Sequence, residues 1–333
     1  MDLGLIATWA FERRAPFGTR DAKAAGFTWR HIEGAAEAKL LYGLGRGIYV
    51  SARLWDVADK RTRHRLGVAG RLLQTTRRWV AARRSAAVVH DVPLIGEPPA
   101  RPQLLRDGEG ASVSATNRHE RIATLRDDER VEIDRVPTAV LERTVFDIAR
   151  EEQFRNGLVV ADGALRRGMT AEALAAMARD RSHWPGGLKA LKVVKYANGL
   201  HETPLESLSW AACVTLDIPL PEPQVRVYLG NELLARVDGL WREFNTVGQA
   251  DGLYKYDNRE DVIHDKRQDE RLEDVGLEVA RWGWDEAWKP RGTFDARLMR
   301  AFERGRRQQL DPRVRFVSTT LEESLAWTGL IAS

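Results

Sequence analysis

Asp238, Gln249 and Asp251 are the residues whose types and spacing best suit chemistry. Asp238 closes an apolar run, Leu233-Leu234-Ala235-Arg236-Val237-Asp238, that reads as a strand. The next run, Val247 to Gly252, follows at hairpin distance. Side chains two apart in a strand share a face, so Gln249 and Asp251 point the same way. A hairpin that sets Asp238 beside them brings together two carboxylates and an amide carbonyl. Such a hard-oxygen set suits Mg²⁺ or Mn²⁺. An ion held there activates water and offsets the charge that builds on a phosphate under attack. Glu206 can add a carboxylate from a neighbouring helix, and Lys255 or Lys266 a cation for the phosphate.

Each residue also has a plainer role. Thr203-x-x-Glu206 with Pro204 between them is a capping box, and that alone explains Glu206. Asp251-Gly252 is a turn dipeptide. His264 fits a helix surface better than a ligand set. Trp282 and Trp284 fit a core. Asp238 is harder to assign blandly, because it follows an apolar strand in mid-sheet register.

The elements that would position these groups read as follows. Thr203 opens a helix to about Asp217, and Pro219, Pro221 and Pro223 form a stiff connector. Three strands follow, Gln224–Leu229, Leu233–Trp241 and Asn245–Asp251, then a charged helix from Arg259 to Val275 and a strand from Leu277 to Trp282. This is an α/β layered arrangement. Upstream, Thr19 is placed to cap a short helix that Gly26 ends, and Thr28 a second one from Trp29. Gly43, Gly45 and Gly47 punctuate a small hairpin between Leu40 and Val50. Helix, glycine turn, helix and hairpin is the pattern of a winged helix-turn-helix. One helix is expected over residues 67–90, short strands over 101–137, and helices from Thr138 to Gly199.

The chain is 333 residues long with a net charge of +4, which suits an anionic partner. Arg61, Arg63, Arg65, Arg71, Arg77, Arg78, Arg83 and Arg84 lie in a stretch without Asp or Glu. That stretch reads either as a phosphate-facing surface or as a solvated helix face. Cys213 is alone, which excludes a disulfide framework and a cysteine zinc site. No secretory leader or membrane span is legible, so a soluble, cytoplasmic protein is expected. The domain reading is 1–60 winged helix, 61–200 α+β middle domain, 201–310 α/β domain with a central sheet, and 311–333 tail.

Residues 203–285 resemble the Vsr-like branch of the PD-(D/E)XK nuclease superfamily, of the type common in actinobacterial proteins. The matching pieces are Thr203-Pro-Leu-Glu-Ser207, Leu220-Pro-Glu-Pro-Gln224, Arg236-Val-Asp238, Asp251-Gly with Lys255-Tyr256, and the stretch from Asp269 through Gly276 to Arg281-Trp282. The resemblance implies a Mg²⁺-dependent DNA endonuclease with Glu206, Asp238, Gln249, Asp251 and Lys255 at the site. Where that family reads Glu-x-Asp-Gly, this chain reads Gln249-Ala-Asp-Gly; glutamine offers an oxygen but no charge and no base. The N-terminal part resembles the AbiEi-type antitoxin architecture of abortive-infection systems. It matches around Ala24-Ala-Gly26, Arg46-Gly-Ile-Tyr49, Ser85 to His90, Val136-Pro-Thr-Ala-Val and Glu142 to Asp147. That implies DNA contact by Trp29, Arg30 and His31 on a recognition helix and by Arg46 on the wing. Glu33 and Glu37 weaken the field of that helix.

Two expectations follow. One is a DNA endonuclease that needs Mg²⁺ or Mn²⁺. The other is a catalytically inactive DNA-binding regulator or antitoxin that needs no metal. Double-stranded DNA is the expected partner of both. A cognate toxin or phage-defence protein belongs to the second, and a homodimer is compatible with either. A third reading is a protein-interaction component of a defence system that touches no nucleic acid.

Overall fold

In the computed structural model, which describes residues 2–75, 78–108, 113–115, 118–251 and 259–329 (backbone alone at 113–115, 118–119 and 259–265), the chain divides into two units, Met1–Ile148 and Ala149–Ser333. It is a mixed α/β protein with three sheets. Among the described residues no helix is long and apolar enough to cross a membrane.

The first unit begins α1 (Leu3–Glu12), β1 (Phe17–Gly18), α2 (Thr19–Ala24), α3 (Trp29–Glu37), β2 (Leu41–Gly45) and β3 (Ile48–Ser51), with sheet order β1-β3-β2. Gly26, at φ +90°, ends α2 in the left-handed conformation that side chains resist. Thr28 caps α3, and the His31 ring closes the cap by accepting the Thr28 N–H at Nδ1, 3.0 Å. Gly18, not Thr19, caps α2: Thr19 N–H is drawn to Gly47 O across the small sheet, and Asp21 accepts from Gly18 N–H. Ile6, Ala10, Phe17, Ala22, Ile32, Ala35 and Leu41 form the core of this module.

The unit continues α4 (Ala52–Val57), α5 (Lys60–Leu73), β4 (Val80–Ala81), α6 (Arg83–Val89), β5 (Gln103–Arg106), β6 (Val113–Ala115), β7 (Arg118–Ile122), β8 (Arg130–Ile133) and β9 (Val136–Ala139). The strands form one sheet in the order β6-β7-β5-β4-β9-β8. The single helix expected over 67–90 is therefore two, parted by β4. Val80 and Ala81 are buried because β5 and β9 flank them, and that long-range pairing overrides local helix propensity. Helix α7 (Leu141–Glu151) spans the division between the units.

His64 on α5 is expected to make stability depend on pH. Its Nε2 lies 2.8 Å from Ser85 Oγ, and burial drives the imidazole down to about 4 from 6.5. The unfolded chain therefore takes this proton first. Above the unfolded pKa His64 carries no penalty; as the pH falls from there toward the folded pKa, stability is lost, by about 3 kcal/mol in full. Urea midpoints measured across that acidic window should fall more gently in His64→Gln than in the parent; parallel curves would refute the assignment.

The second unit opens with α8 (Phe154–Arg166), α9 (Ala171–Asp180), α10 (Gly187–Tyr196) and α11 (Pro204–Leu216). It continues β10 (Glu222–Leu229), β11 (Glu232–Trp241), β12 (Thr246–Ala250), α12 (Arg259–Asp274), β13 (Glu278–Trp282), α13 (Trp284–Trp288), α14 (Phe294–Gly305), β14 (Val314–Ser318) and α15 (Leu321–Trp327). The sheet runs β13-β12-β11-β10-β14, antiparallel except for the parallel β12–β13 pair. Residues 314–318, within the stretch read as a tail, add the edge strand β14 beside β10. Val225, Val227, Val237, Leu240 and Val247 of the sheet pack with Leu272, Val275 and Leu277.

Candidate functional site

Three elements of the second unit bring Glu206, Gln224 and Asp238 together. Thr203 and Pro204 start α11, and this cap fixes Glu206 in the first turn. Glu206 Oε1 accepts from Thr203 Oγ1 at 2.8 Å, and Oε2 accepts from Glu202 N–H at 3.0 Å. Gln224 on β10 lies opposite Asp238 on β11, between the pairs Pro223↔Gly239 and Val225↔Val237. The Gln224 backbone sits at φ 51°, a costly value for a side-chain-bearing residue. Its buried Nε2 donates to Glu206 Oε2 at 2.8 Å and lies 3.5 Å from Asp238 Oδ1. Asp238 Oδ2 accepts the Ala250 N–H at 2.7 Å, which ties β11 to the end of β12.

Gln249 is buried on β12, where it pairs with Arg281 of β13. Gly248 before it admits the Trp282 and Trp241 rings; a Cβ there would meet Trp282 at 2.5 Å. Asp251 turns to Arg281, whose Nη1 donates to both its oxygens at 2.8 and 3.0 Å. The same guanidinium reaches Asp269 of α12 through Nε and Nη2, at 2.6 and 2.7 Å. Burial alone would lower the pKa of Arg281, but its bonds to Asp269 and Asp251 outweigh that and hold it above the ordinary value. Lys255 lies outside the described residues, as does the His264 side chain; Lys266 is exposed on α12.

The donor chemistry decides whether this arrangement suits the Mg²⁺ that the sequence resemblance implies. A divalent ion needs several oxygens free to coordinate it. Here both Asp251 oxygens accept from Arg281, a cation it shares with Asp269, the Glu206 oxygens are taken by three protein donors, and Gln249 brings no charge. Among the described residues no three His, Cys, Asp or Glu side chains group as a metal site. As arranged, Glu206, Gln249 and Asp251 leave few oxygens free for such an ion.

Glu206 and Asp238 line a cavity of about 30 Å³ together with His201, Cys213 and three tryptophans, a volume near one water's share of the liquid. His201 was not singled out from the sequence. Its Nδ1 lies 2.7 Å from Asp162 Oδ2, both side chains are buried, and Asp162 Oδ1 accepts the Asn198 N–H at 2.7 Å. The sequence carries no signal for that pair, since α8 supplies Asp162 across a long stretch of chain. Burial pushes the Cys213 thiol up to about 12, so it is no nucleophile.

The residues read as DNA contacts divide. Trp29 and Arg30 are exposed on the first turn of α3, and Arg46 is exposed at the β2–β3 tip. His31 is committed to its cap and sits edge-on to Phe27. Arg78 is exposed, Arg83 and Arg84 are half-buried, and Arg77 lies outside the described residues. Arg84 Nη2 donates to the carbonyls of Ile95 and Glu97, at 2.7 and 3.1 Å. Arg61 reaches Val92 O, Arg63 the carbonyls of Trp55 and Asp56, Arg65 pairs with Asp134, and Arg71 with Glu120. Several arginines of the stretch are thus internal fastenings, with acceptors from 7 to 69 residues away along the chain.

No known family profile matches the chain. It is similar to the uncharacterized proteins MT2308 and Rv2248 of Mycobacterium tuberculosis (strains CDC 1551 / Oshkosh and ATCC 25618 / H37Rv), each 24% identical over 165 residues. That stretch is 49% of this chain and 60% of each relative, so the chain spans less than two thirds of the relatives' length.

Proposed function

We propose that this chain is a DNA-binding regulator whose N-terminal module is a winged helix and whose C-terminal domain keeps a nuclease-like fold without metal-dependent cleavage. The observation that carries the DNA-binding half is the order α1-β1-α2-α3-β2-β3, with Trp29 and Arg30 exposed where α3 begins and Arg46 at the hairpin tip. A helix start of this kind enters the major groove, and the hairpin touches phosphate. Glu33 and Glu37 are exposed on the same helix, so phosphate contacts carry most of the affinity. The inactive half rests on the Arg281 guanidinium held against Asp251. A cognate toxin or defence-system protein is the partner an antitoxin role would add.

Fluorescence anisotropy on duplex DNA tests this reading. Binding is expected in EDTA, weakening steeply with salt, and Arg30→Ala or Arg46→Ala should each lower the log–log salt slope by about 1 if its partner is a phosphate. No binding at low salt would end it. The endonuclease reading is kept as the second, because Glu206 and Asp238 share one cavity. It expects nicking with Mg²⁺ or Mn²⁺ that disappears in Asp238→Ala, and a gain in Gln249→Glu.

A further inference from the structure

We infer that the second unit carries a binding pocket for a small apolar carboxylate, built around Arg155. This rests on no part of the DNA-binding reading. A cavity of about 290 Å³ opens between the first turn of α8, the Leu208–Thr215 stretch of α11 and the end of α13. Its walls are mostly apolar, Phe154, Leu208, Ala211, Ala212, Ala287 and Pro290, with Thr215 among them. One cation lines it. The Arg155 guanidinium stacks on the Trp288 ring, 3.6 Å from its centroid, and Nη1 donates to Trp288 O at 3.0 Å.

Arg155 has no carboxylate partner among the described residues, and its Nε is buried with no acceptor there. The contrast with Arg71, Arg143, Arg236 and Arg281 is plain, since each of these is ion-paired. The acids preceding Arg155 are engaged elsewhere: Glu151 with Arg150, and Glu152 with the Asn156 amide. Desolvation lowers the Arg155 pKa. A half-buried cation with no counter-charge beside a mostly apolar wall favours an anion joining it. The backbone adds to the same field. The Gln153 side chain makes no cap bond to α8, the first turn holds no acid, and Gln153 lines the cavity. The positive end of this helix therefore favours an anion at the mouth. The volume lies at the small end of ligand sites, which suits one ring or a short alkyl chain rather than a nucleotide.

The probes are benzoate and hexanoate, each against its amide, titrated into the full chain by calorimetry and ligand-observed NMR. Saturable binding of the acids is expected, at least ~10-fold tighter than the amides, because the carboxylate gains a charge-assisted bond the amide lacks. Arg155→Gln should bring the acids down to the amide level without changing the circular dichroism, and Arg155→Lys should retain part of the preference. Equal binding of acid and amide, undiminished acid binding in Arg155→Gln, or no saturable binding by any probe would overturn the inference. The acid–amide comparison on the parent protein stands even where a variant fails to fold.

Discussion

Arg143→Met is expected to lower the unfolding free energy of the first unit by about 3–5 kcal/mol, the usual cost of removing one partner from a buried ionic cluster. Arg143 is 1% exposed and is the largest fully buried side chain described. Its Nε donates to Asp147 at 2.8 Å, and Nη1 donates to Glu129 at 3.0 Å and to Thr124 O at 2.9 Å. Glu129 and Asp147 are themselves buried, so methionine removes the one guanidinium that both carboxylates share. Lysine keeps the charge but not the planar fork that serves three acceptors at once, so Arg143→Lys should fall between the two. Urea unfolding followed by circular dichroism measures the difference. A methionine variant within about 1 kcal/mol of the parent would mean the cluster contributes little.

The second large effect concerns Glu206. Glu206→Ala is expected to cost about 2–4 kcal/mol, the sum of a lost capping interaction and of buried donors left unpaired. The donors are Gln224 Nε2, Glu202 N–H and Thr203 Oγ1. Gln224 would lose its best acceptor while its backbone stays at a positive φ, so the strain there would go uncompensated. Glu206→Gln keeps one acceptor oxygen and should lose less than the alanine variant. Tryptophan fluorescence reports on this region, since Trp210, Trp241 and Trp282 line the same cavity. A side chain with a catalytic role alone would leave the unfolding midpoint where it was. An unchanged midpoint in Glu206→Ala would therefore revive the nuclease reading and weaken the regulatory one.

These expectations share a physical theme. Several buried or half-buried arginines are matched by acids of their own unit: Arg143 with Glu129 and Asp147, Arg236 with Glu202, Arg281 with Asp251 and Asp269. A carboxylate that satisfies an internal arginine is poorly placed to serve a metal ion as well. The Asp251–Arg281–Asp269 bridge gives acidic residues a structural use beside the catalytic one that their spacing suggests.

Much of the second unit was legible in advance. The strands around Gln224–Leu229, Leu233–Trp241 and Asn245–Asp251 fall where proline, glycine and alternation mark them, and they match β10, β11 and β12 to within a few residues. The Thr203 cap and the Gly26 turn were equally plain. Less legible were β1 and β4, each of two residues, and β14. A two-residue strand has no period to read, and it exists only because a partner strand comes alongside.

The sequence by itself determined what neighbouring residues settle: caps, turns, strand alternation and the apolar faces that must be covered. It also placed Glu206, Asp238 and Gln249 on the elements that carry them, while Asp251 falls one residue past the end of β12. Only the tertiary structure decided what each side chain meets. Gln224 came to bridge two acids because β10 pairs in register with β11. Asp251 met Arg281, 30 residues away, because β12 runs parallel to β13. Register and ion pairing are set by contacts between segments far apart in the chain, and a local pattern of residue types does not contain them.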